Sequence, residues 1–322
     1  MSPVIKELQE RAINYKTIFT GQHRELYDDV KHLVPLPDYN LNIMSEDQSL
    51  TEILSNISSK LGEILKIEKP DLLILQGDTS TVAVCSLIAY YEKIEIGHVE
   101  AGLRTFNLKS PFPEEGNRQI VSRIAKYNWA PTILAAEQLK KENVKNIFIT
   151  GNTVIDACNN YNYKVQYGNE ILITLHRREN FGEKLKTIFK QINRLALKYP
   201  HLEFIFPMHP NPNVQKLKYL LNNVKIIEPL EYKEIIKLLS RVRFVISDSG
   251  GIQEECAAFK KKILVCRDTT ERPEGVDAGF AKIIGTKVEE NFKWALNDYK
   301  WSGENPYGNG NAAKKIVDSI KL

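Results

Sequence analysis

No run of apolar residues in this 322-residue chain reaches the length of a membrane span, and the opening stretch MSPVIKELQERAINYK is broken by charge every few residues. A bilayer crossing needs about 20 consecutive apolar residues, and a secretory leader needs an unbroken apolar core, so neither is expected. Cysteine is scarce: Cys85, Cys158, Cys256 and Cys266 are irregularly spaced, with no C-x-x-C pair. A chain this long does not need a disulfide framework, and the four read as buried thiols of a cytoplasmic protein. There is also no basic tract and no internal repeat. The 44 Lys and Arg against 40 Asp and Glu leave a net charge of +4 that is spread along the sequence, which argues against nucleic acid as the main partner.

What the chain does have is length for two cores and a steady rhythm of strand-length apolar runs alternating with helical periodicity. Strands are expected over residues 15–20, 71–75, 94–98, 146–150, 171–174, 201–206, 224–227, 242–247 and 262–265. Alternation with short connections implies parallel sheets covered by helices on both faces, so the fold class is α/β. The rhythm lapses in the polar stretch YNYKVQYGN, residues 161–169, and restarts at Ile171. This places one domain over residues 1–166 and a second over 167–302, with a Gly- and Asn-rich loop and a last helix (residues 303–322) packing back on the first domain. The chain opens on a helix, residues 3–11, before any strand, whereas doubly wound domains begin on a central strand. A first strand of the N-terminal domain is therefore missing from the pattern.

Parallel sheets bind ligands at the carboxyl ends of their strands, so polar clusters just after strands are the candidates for function. Gln76-Gly77-Asp78-Thr79 follows DLLIL, and Asp78 or Thr79 also reads as a helix cap. In His98-Val99-Glu100-Ala101-Gly102-Leu103-Arg104, Glu100 stands at a strand end, either for chemistry or as an ion-pair partner of Arg104. SPFPEEGNRQ places Glu114 and Glu115 in the first turn of a helix, where acids also serve as helix starters. Together Asp78, Glu100 and Glu114 bring three carboxylates to one sheet edge, as general acid–base work requires.

In the second half, His176-Arg177-Arg178 follows the first strand and reads as an anion site or as a solvated cationic loop. His209-Pro210-Asn211-Pro212 is a stiff turn to which no role is assigned. Ser247-Asp248-Ser249-Gly250-Gly251-Ile252-Gln253-Glu254-Glu255 lies between a strand and a helix. Its glycines let a phosphate approach the backbone at a helix N-terminus, and Glu255 is placed to accept ribose hydroxyls or to face solvent. Arg272 either faces a phosphate or pairs with Glu271.

Read in order, QGDT, HVEAGLRT, SPFPEEGNR, TGNTVID, TLHRREN, HPNP, SDSGGIQEE and RDTTERPEG resemble the motif series of the non-hydrolysing UDP-N-acetylglucosamine 2-epimerases, from about Gly21 to Gly275. The resemblance implies two Rossmann-like domains in the glycosyltransferase-B arrangement with the ligand in a central cleft. It also implies reversible C2 epimerisation of UDP-GlcNAc to UDP-ManNAc through elimination of UDP to 2-acetamidoglucal and its re-addition, with no redox cofactor and no metal. On that resemblance the catalytic positions are Asp78, Glu100, Glu114 and His176, the substrate-binding positions are Ser249, Gly250, Gly251, Glu255 and Arg272, and Gln22-His23 is the site of a possible allosteric UDP-GlcNAc. A homodimer is also implied, with UDP-GlcNAc and UDP as ligands and neither nucleic acid nor membrane as a partner.

One departure stands out. The family opens on a strand leading into G-T-R-P-E and a lysine, and here Met1-Ser2-Pro3 begins just beyond them. A start downstream of the true one is the expected reason, because loss of a central strand would leave backbone groups unpaired in the core. The rival readings are a hydrolysing epimerase releasing ManNAc and UDP, a glycosyltransferase, an epimerase of a diacetamido uronic acid nucleotide, and a catalytically weakened nucleotide-sugar-binding protein.

Overall fold

The computed structural model describes residues 1–21, 33–44, 48–109 and 111–321. The chain divides into two compact units, residues 1–157 with 308–322, and residues 158–307. All four cysteines are free and buried, and among the described residues no helix is long and apolar enough to cross a membrane.

In the first unit β1 (Ile18–Phe19) pairs in parallel with β2 (Tyr39–Asn40) as a small separate sheet. A four-stranded parallel sheet follows, in the order β3 (Leu72–Gln76), β4 (Glu95–Val99), β5 (Tyr127–Ala130), β6 (Ile147–Ile149). Helix Leu50–Glu68 begins with a capping box in which Ser49 and Glu52 satisfy each other's backbone N–H. Its residues Ile53, Ile57, Leu61 and Leu65 recur every four positions, so they form one stripe, which is buried with Leu41, Ile43 and Ile96. On the opposite face, helix Ser2–Glu10 buries Val4 and Leu8 against Tyr127, Trp129 and the helix Ala312–Ser319. Asp156 caps that last helix by accepting the N–H groups of Ala312 and Ala313 at 3.1 and 2.9 Å.

The second unit holds six parallel strands, β7 (Glu170–Thr174), β8 (Glu203–Pro207), β9 (Lys225–Ile227), β10 (Phe244–Ser247), β11 (Ile263–Val265) and β12 (Ala281–Ile283). Their spatial order is β12-β11-β10-β7-β8-β9. Chain order reverses between β7 and β10, which makes that pair the topological switch point of a doubly wound sheet, where such folds bind ligands. The core strands read as continuous apolar runs because both faces are covered: Ile171, Leu172 and Ile173 are each fully buried, as are Phe244, Val245 and Ile246.

Nine strands lie where apolar runs predict them, with ends shifted by a few residues. β2, β5 and β12 were not expected. In β5 a polar Asn128 interrupts the apolar run, yet it is fully buried, its amide donating to the carbonyls of Ala125 and Lys145.

Candidate active-site residues

In the first unit the carboxyl ends of β3 and β4 lie side by side, with Gln76 in register with Val99. Thr79 caps the helix Ser80–Tyr91, which leaves Asp78 for another role. Asp78 Oδ2 accepts two hydrogen bonds from Arg118, from Nε at 2.9 Å and Nη2 at 2.5 Å, and its backbone carbonyl accepts one from Asn117 at 2.8 Å. Both donors lie on helix Glu114–Ile124, so the loop after β3 is tied to the helix that carries Glu114.

The two adjacent glutamates of that helix differ sharply. Glu115 is fully buried and accepts N–H groups of Thr105 and Phe106, the amide of Gln119 and the guanidinium of Arg118. Burial raises its pKa, but these donors with Arg104 outweigh burial and hold the carboxyl below its ordinary value, as an ion. It is a scaffold residue. Glu114 is half-buried, and its Oε2 is buried without a hydrogen-bond partner. Glu100 follows β4 with φ +68°, in the left-handed region where a non-glycine residue is strained. Arg104 is engaged by Glu142, at 2.7 and 2.9 Å. Behind them His98 is fully buried, with Nε2 2.8 Å from the Gly77 carbonyl. Burial pushes this imidazole down to about 4, so it is neutral at physiological pH.

In the second unit the switch point is organised by Asp248, which is fully buried and whose role no local sequence pattern predicts. Its carboxylate accepts the backbone N–H groups of His176, at 3.1 and 3.2 Å, and Arg177, at 3.0 Å, and the Asn180 amide at 2.9 Å. Thr174 and Ser247, at the ends of β7 and β10, are joined hydroxyl to hydroxyl at 2.6 Å. The His176 ring stacks on His209, centroids 5.2 Å apart, so the turn without an assigned role supplies a neighbour to the candidate histidine. Burial lowers the His176 pKa, Asp248 opposes this, and His209 and Arg177 lower it further.

Helix Gly250–Ala258 starts beside this loop, with Ser249 at its N-cap. The two glycines serve different ends. A Cβ on Gly250 would lie 2.7 Å from Arg272 Nη1, so this glycine makes room for a guanidinium, whereas at Gly251 nothing lies within 4 Å and the backbone is open to approach. Arg272 donates to Glu254 and to Glu271, each at 2.6 Å. Glu255 is buried, not solvent-facing, and is hydrogen-bonded to the hydroxyl of Tyr232. Gln22 and His23 lie outside the described residues.

The chain is thus a protein of two Rossmann-like α/β units, with carboxylates on one strand-end edge and a histidine loop beside an open helix N-terminus on the other. The family model of UDP-N-acetylglucosamine 2-epimerase matches residues 6–321. A UDP-N-acetylglucosamine 2-epimerase of Campylobacter jejuni is 42% identical, the match covering 99% of this chain and 93% of that protein. Among solved structures, the Neisseria meningitidis UDP-GlcNAc 2-epimerase bound to UDP-GlcNAc superimposes with a TM-score of 0.91 at 42% identity, over 99% of this chain and 95% of that one. The Methanocaldococcus jannaschii enzyme, in complex with UDP-GlcNAc and UDP, gives 0.82 at 33% identity, over 98% and 94%. The chain belongs to the UDP-N-acetylglucosamine 2-epimerase family.

Proposed function

We propose that this chain interconverts UDP-N-acetylglucosamine and UDP-N-acetylmannosamine without hydrolysis. The observation that carries this reading is the edge bearing Asp78, Glu100 and Glu114, where one carboxylate is held by a buried arginine, one sits on strained backbone and one has an unpartnered buried oxygen.

The chemistry asks for such a set. A carboxylate removes the C2 proton, the electron pair forms the C1–C2 double bond of 2-acetamidoglucal, and the C1–O bond breaks to release UDP. Return of UDP to C1, with proton delivery to the opposite face of C2, completes the inversion. Removal and delivery on opposite faces call for more than one carboxyl group, so a single acid is too few. The leaving diphosphate needs positive potential, and His176 with the amide groups at Ser249, Gly250 and Gly251 supplies it, while Glu255 holds the ribose. Arg272 orders this loop through Glu254 and Glu271. A diphosphate near His176 favours its protonated form, opposing the burial that lowers its pKa.

Proton NMR of UDP-GlcNAc with the chain in D2O tests the proposal. Appearance of UDP-ManNAc carrying deuterium at C2 is expected. Accumulation of free ManNAc and UDP would mark a hydrolysing enzyme instead, and UDP binding without any exchange at C2 would mark a binding protein.

A further inference from the structure

His98 is a buried histidine for which the reaction proposed above has no use, and its hydrogen bond runs to the loop that carries Asp78. Consecutive residues of β4 grip Gly77 at both of its backbone groups. The Val99 carbonyl accepts the Gly77 N–H at 3.1 Å, and His98 Nε2 lies 2.8 Å from the Gly77 carbonyl. Gly77 has φ +86°, in the left-handed region that glycine enters freely and other residues avoid. A glycine turn is the loosest joint a chain can place before a side chain, and these two bonds fix it.

The bond also sets the state of the ring. A carbonyl can only accept, so Nε2 carries the proton. Burial disfavours the cation, as do Arg104 and Arg118, against the Gly77 bond and Asp78, and the neutral ring leaves Nδ1 as a bare acceptor. Among the described residues Nδ1 is buried without a hydrogen-bond partner. Asn128, its neighbour in register on β5, offers no donor, because its amide is committed to the carbonyls of Ala125 and Lys145. An unpaired buried acceptor destabilises a fold, so an apolar residue of similar size would serve packing better at this position. What histidine adds here is the donor to Gly77.

That donor bears on the candidate acid. Asp78 Oδ2 is held by Arg118 at 2.9 and 2.5 Å, and among the described residues nothing bonds Oδ1. A carboxylate held at one oxygen pivots about it, so the direction of the other depends on the backbone from which the side chain starts. The Gly77–Asp78 peptide is a planar unit, and His98 holds its carbonyl. Asn117 holds the next carbonyl, at 2.8 Å.

We propose that His98 is a positioning residue for Asp78: by donating to the Gly77 carbonyl it orients the Gly77–Asp78 peptide and so aims Oδ1 of the carboxylate at the substrate. The proposal rests on the reading that Asp78 takes part in proton transfer at C2. His98 itself neither touches substrate nor carries the proton.

Three substitutions test it. In His98→Gln the amide nitrogen lies about as far from the backbone as Nε2 does and can still donate to Gly77. In His98→Asn it reaches only as far as Nδ1, and His98→Leu keeps a similar volume with no donor. In the C2 exchange assay the leucine and asparagine variants are expected to lose about 10- to 100-fold in kcat, the scale of a 1 Å misplacement of a reacting group, with KM within about threefold. The glutamine variant is expected to stay within about threefold of the parent in both. Asparagine guards against a leucine variant that fails to fold.

The Asp78 backbone 15N resonance responds to hydrogen bonding at the carbonyl before it, and it reads the same bond without turnover. It should move in the leucine and asparagine variants and keep its parent position with glutamine. A parent chain with no exchange at C2 would refute the proposed reaction, and the resonance would still decide whether His98 orients this peptide. Parent kcat in the folded variants that lack the donor, equal losses in all three, or an Asp78 resonance that does not move when the donor is removed overturns the proposal.

Discussion

Arg118 holds Asp78 with two hydrogen bonds to a single carboxylate oxygen, at 2.9 and 2.5 Å, and reaches Glu115 at 3.3 Å with its other terminal nitrogen. One buried cation thus serves a candidate catalytic acid and a scaffold acid, and substitutions can separate the two roles. Asp78→Asn keeps an oxygen for Arg118 and should keep the fold while slowing C2 exchange about 10²- to 10⁴-fold, the usual contribution of a positioned acid or base. Arg118→Met strips the partner from both carboxylates and should cost about 3 kcal/mol of stability, at the low end for a broken buried pair because Asp78 keeps some solvent. Urea unfolding and the NMR exchange assay measure the two effects separately; equal stability losses in both variants would sink the division of roles.

His98 should make the first unit sensitive to acid. Its folded pKa of about 4 lies below the ordinary 6.5, so as pH falls the unfolded chain takes up the proton before the folded one does. Its contribution is intact above about 6.5 and is lost as pH falls toward 4, by at most about 3 kcal/mol. Urea unfolding at pH 7 and pH 5 should show a smaller loss for His98→Asn than for the parent chain. The same loss in both would mean that the slope comes from other groups.

Gly250 and Gly251 are neighbours with opposite expectations. Gly250→Ala drives a methyl group to 2.7 Å from Arg272 Nη1 and 3.0 Å from its Cζ, in a guanidinium already committed to Glu254 and Glu271. It should cost about 1–3 kcal/mol, as overpacking does. Gly251→Ala meets nothing and should leave stability within about 0.5 kcal/mol, as an unstrained surface change does, while weakening UDP binding if a phosphate must approach that backbone. Thermal unfolding and calorimetric titration of UDP separate the cases. Wild-type UDP affinity in Gly251→Ala would remove the phosphate from this helix start.

The sequence placed Asp78, Glu100, His176 and the Gly250-Gly251 pair at strand ends because parallel strands are apolar runs that stop abruptly, and the stops are visible as polar clusters. It could not tell Glu114 from Glu115. Consecutive helix residues point about 100° apart, and only the packing of Thr105, Phe106 and Arg118 decides which of them is buried. Asp248 and His209 had strand-end signals of the same kind. Their roles depend on a register, β7 against β10 and β8, that no local pattern carries. Tyr232 had no signal at all: it opens a helix 23 residues before Glu255 and meets it through tertiary packing alone. β5 escaped notice because its buried Asn128 breaks the apolar run.

Glu255 should impose a pH dependence opposite in sign to that of His98. Burial pushes its carboxyl up to about 7, against the hydrogen bond from Tyr232, which pulls it down. In the folded chain it is largely protonated where the unfolded chain is ionised, so its cost to stability grows as pH rises from about 4.5 through 7 and is complete above that. Glu255→Gln never ionises and should therefore be more stable than the parent at pH 8 and closer to it at pH 5. Tyr232→Phe removes the bond that favours the ion and should lose more stability at pH 8 than at pH 5. If Glu255 also accepts the ribose hydroxyls, Glu255→Gln should weaken UDP by about 1.5–3 kcal/mol, roughly tenfold or more, because an ionised acceptor is lost. Calorimetry at pH 8 reads this directly. Unchanged UDP affinity beside the expected gain in stability would make Glu255 a buried acid of the helix core and would move the ribose elsewhere.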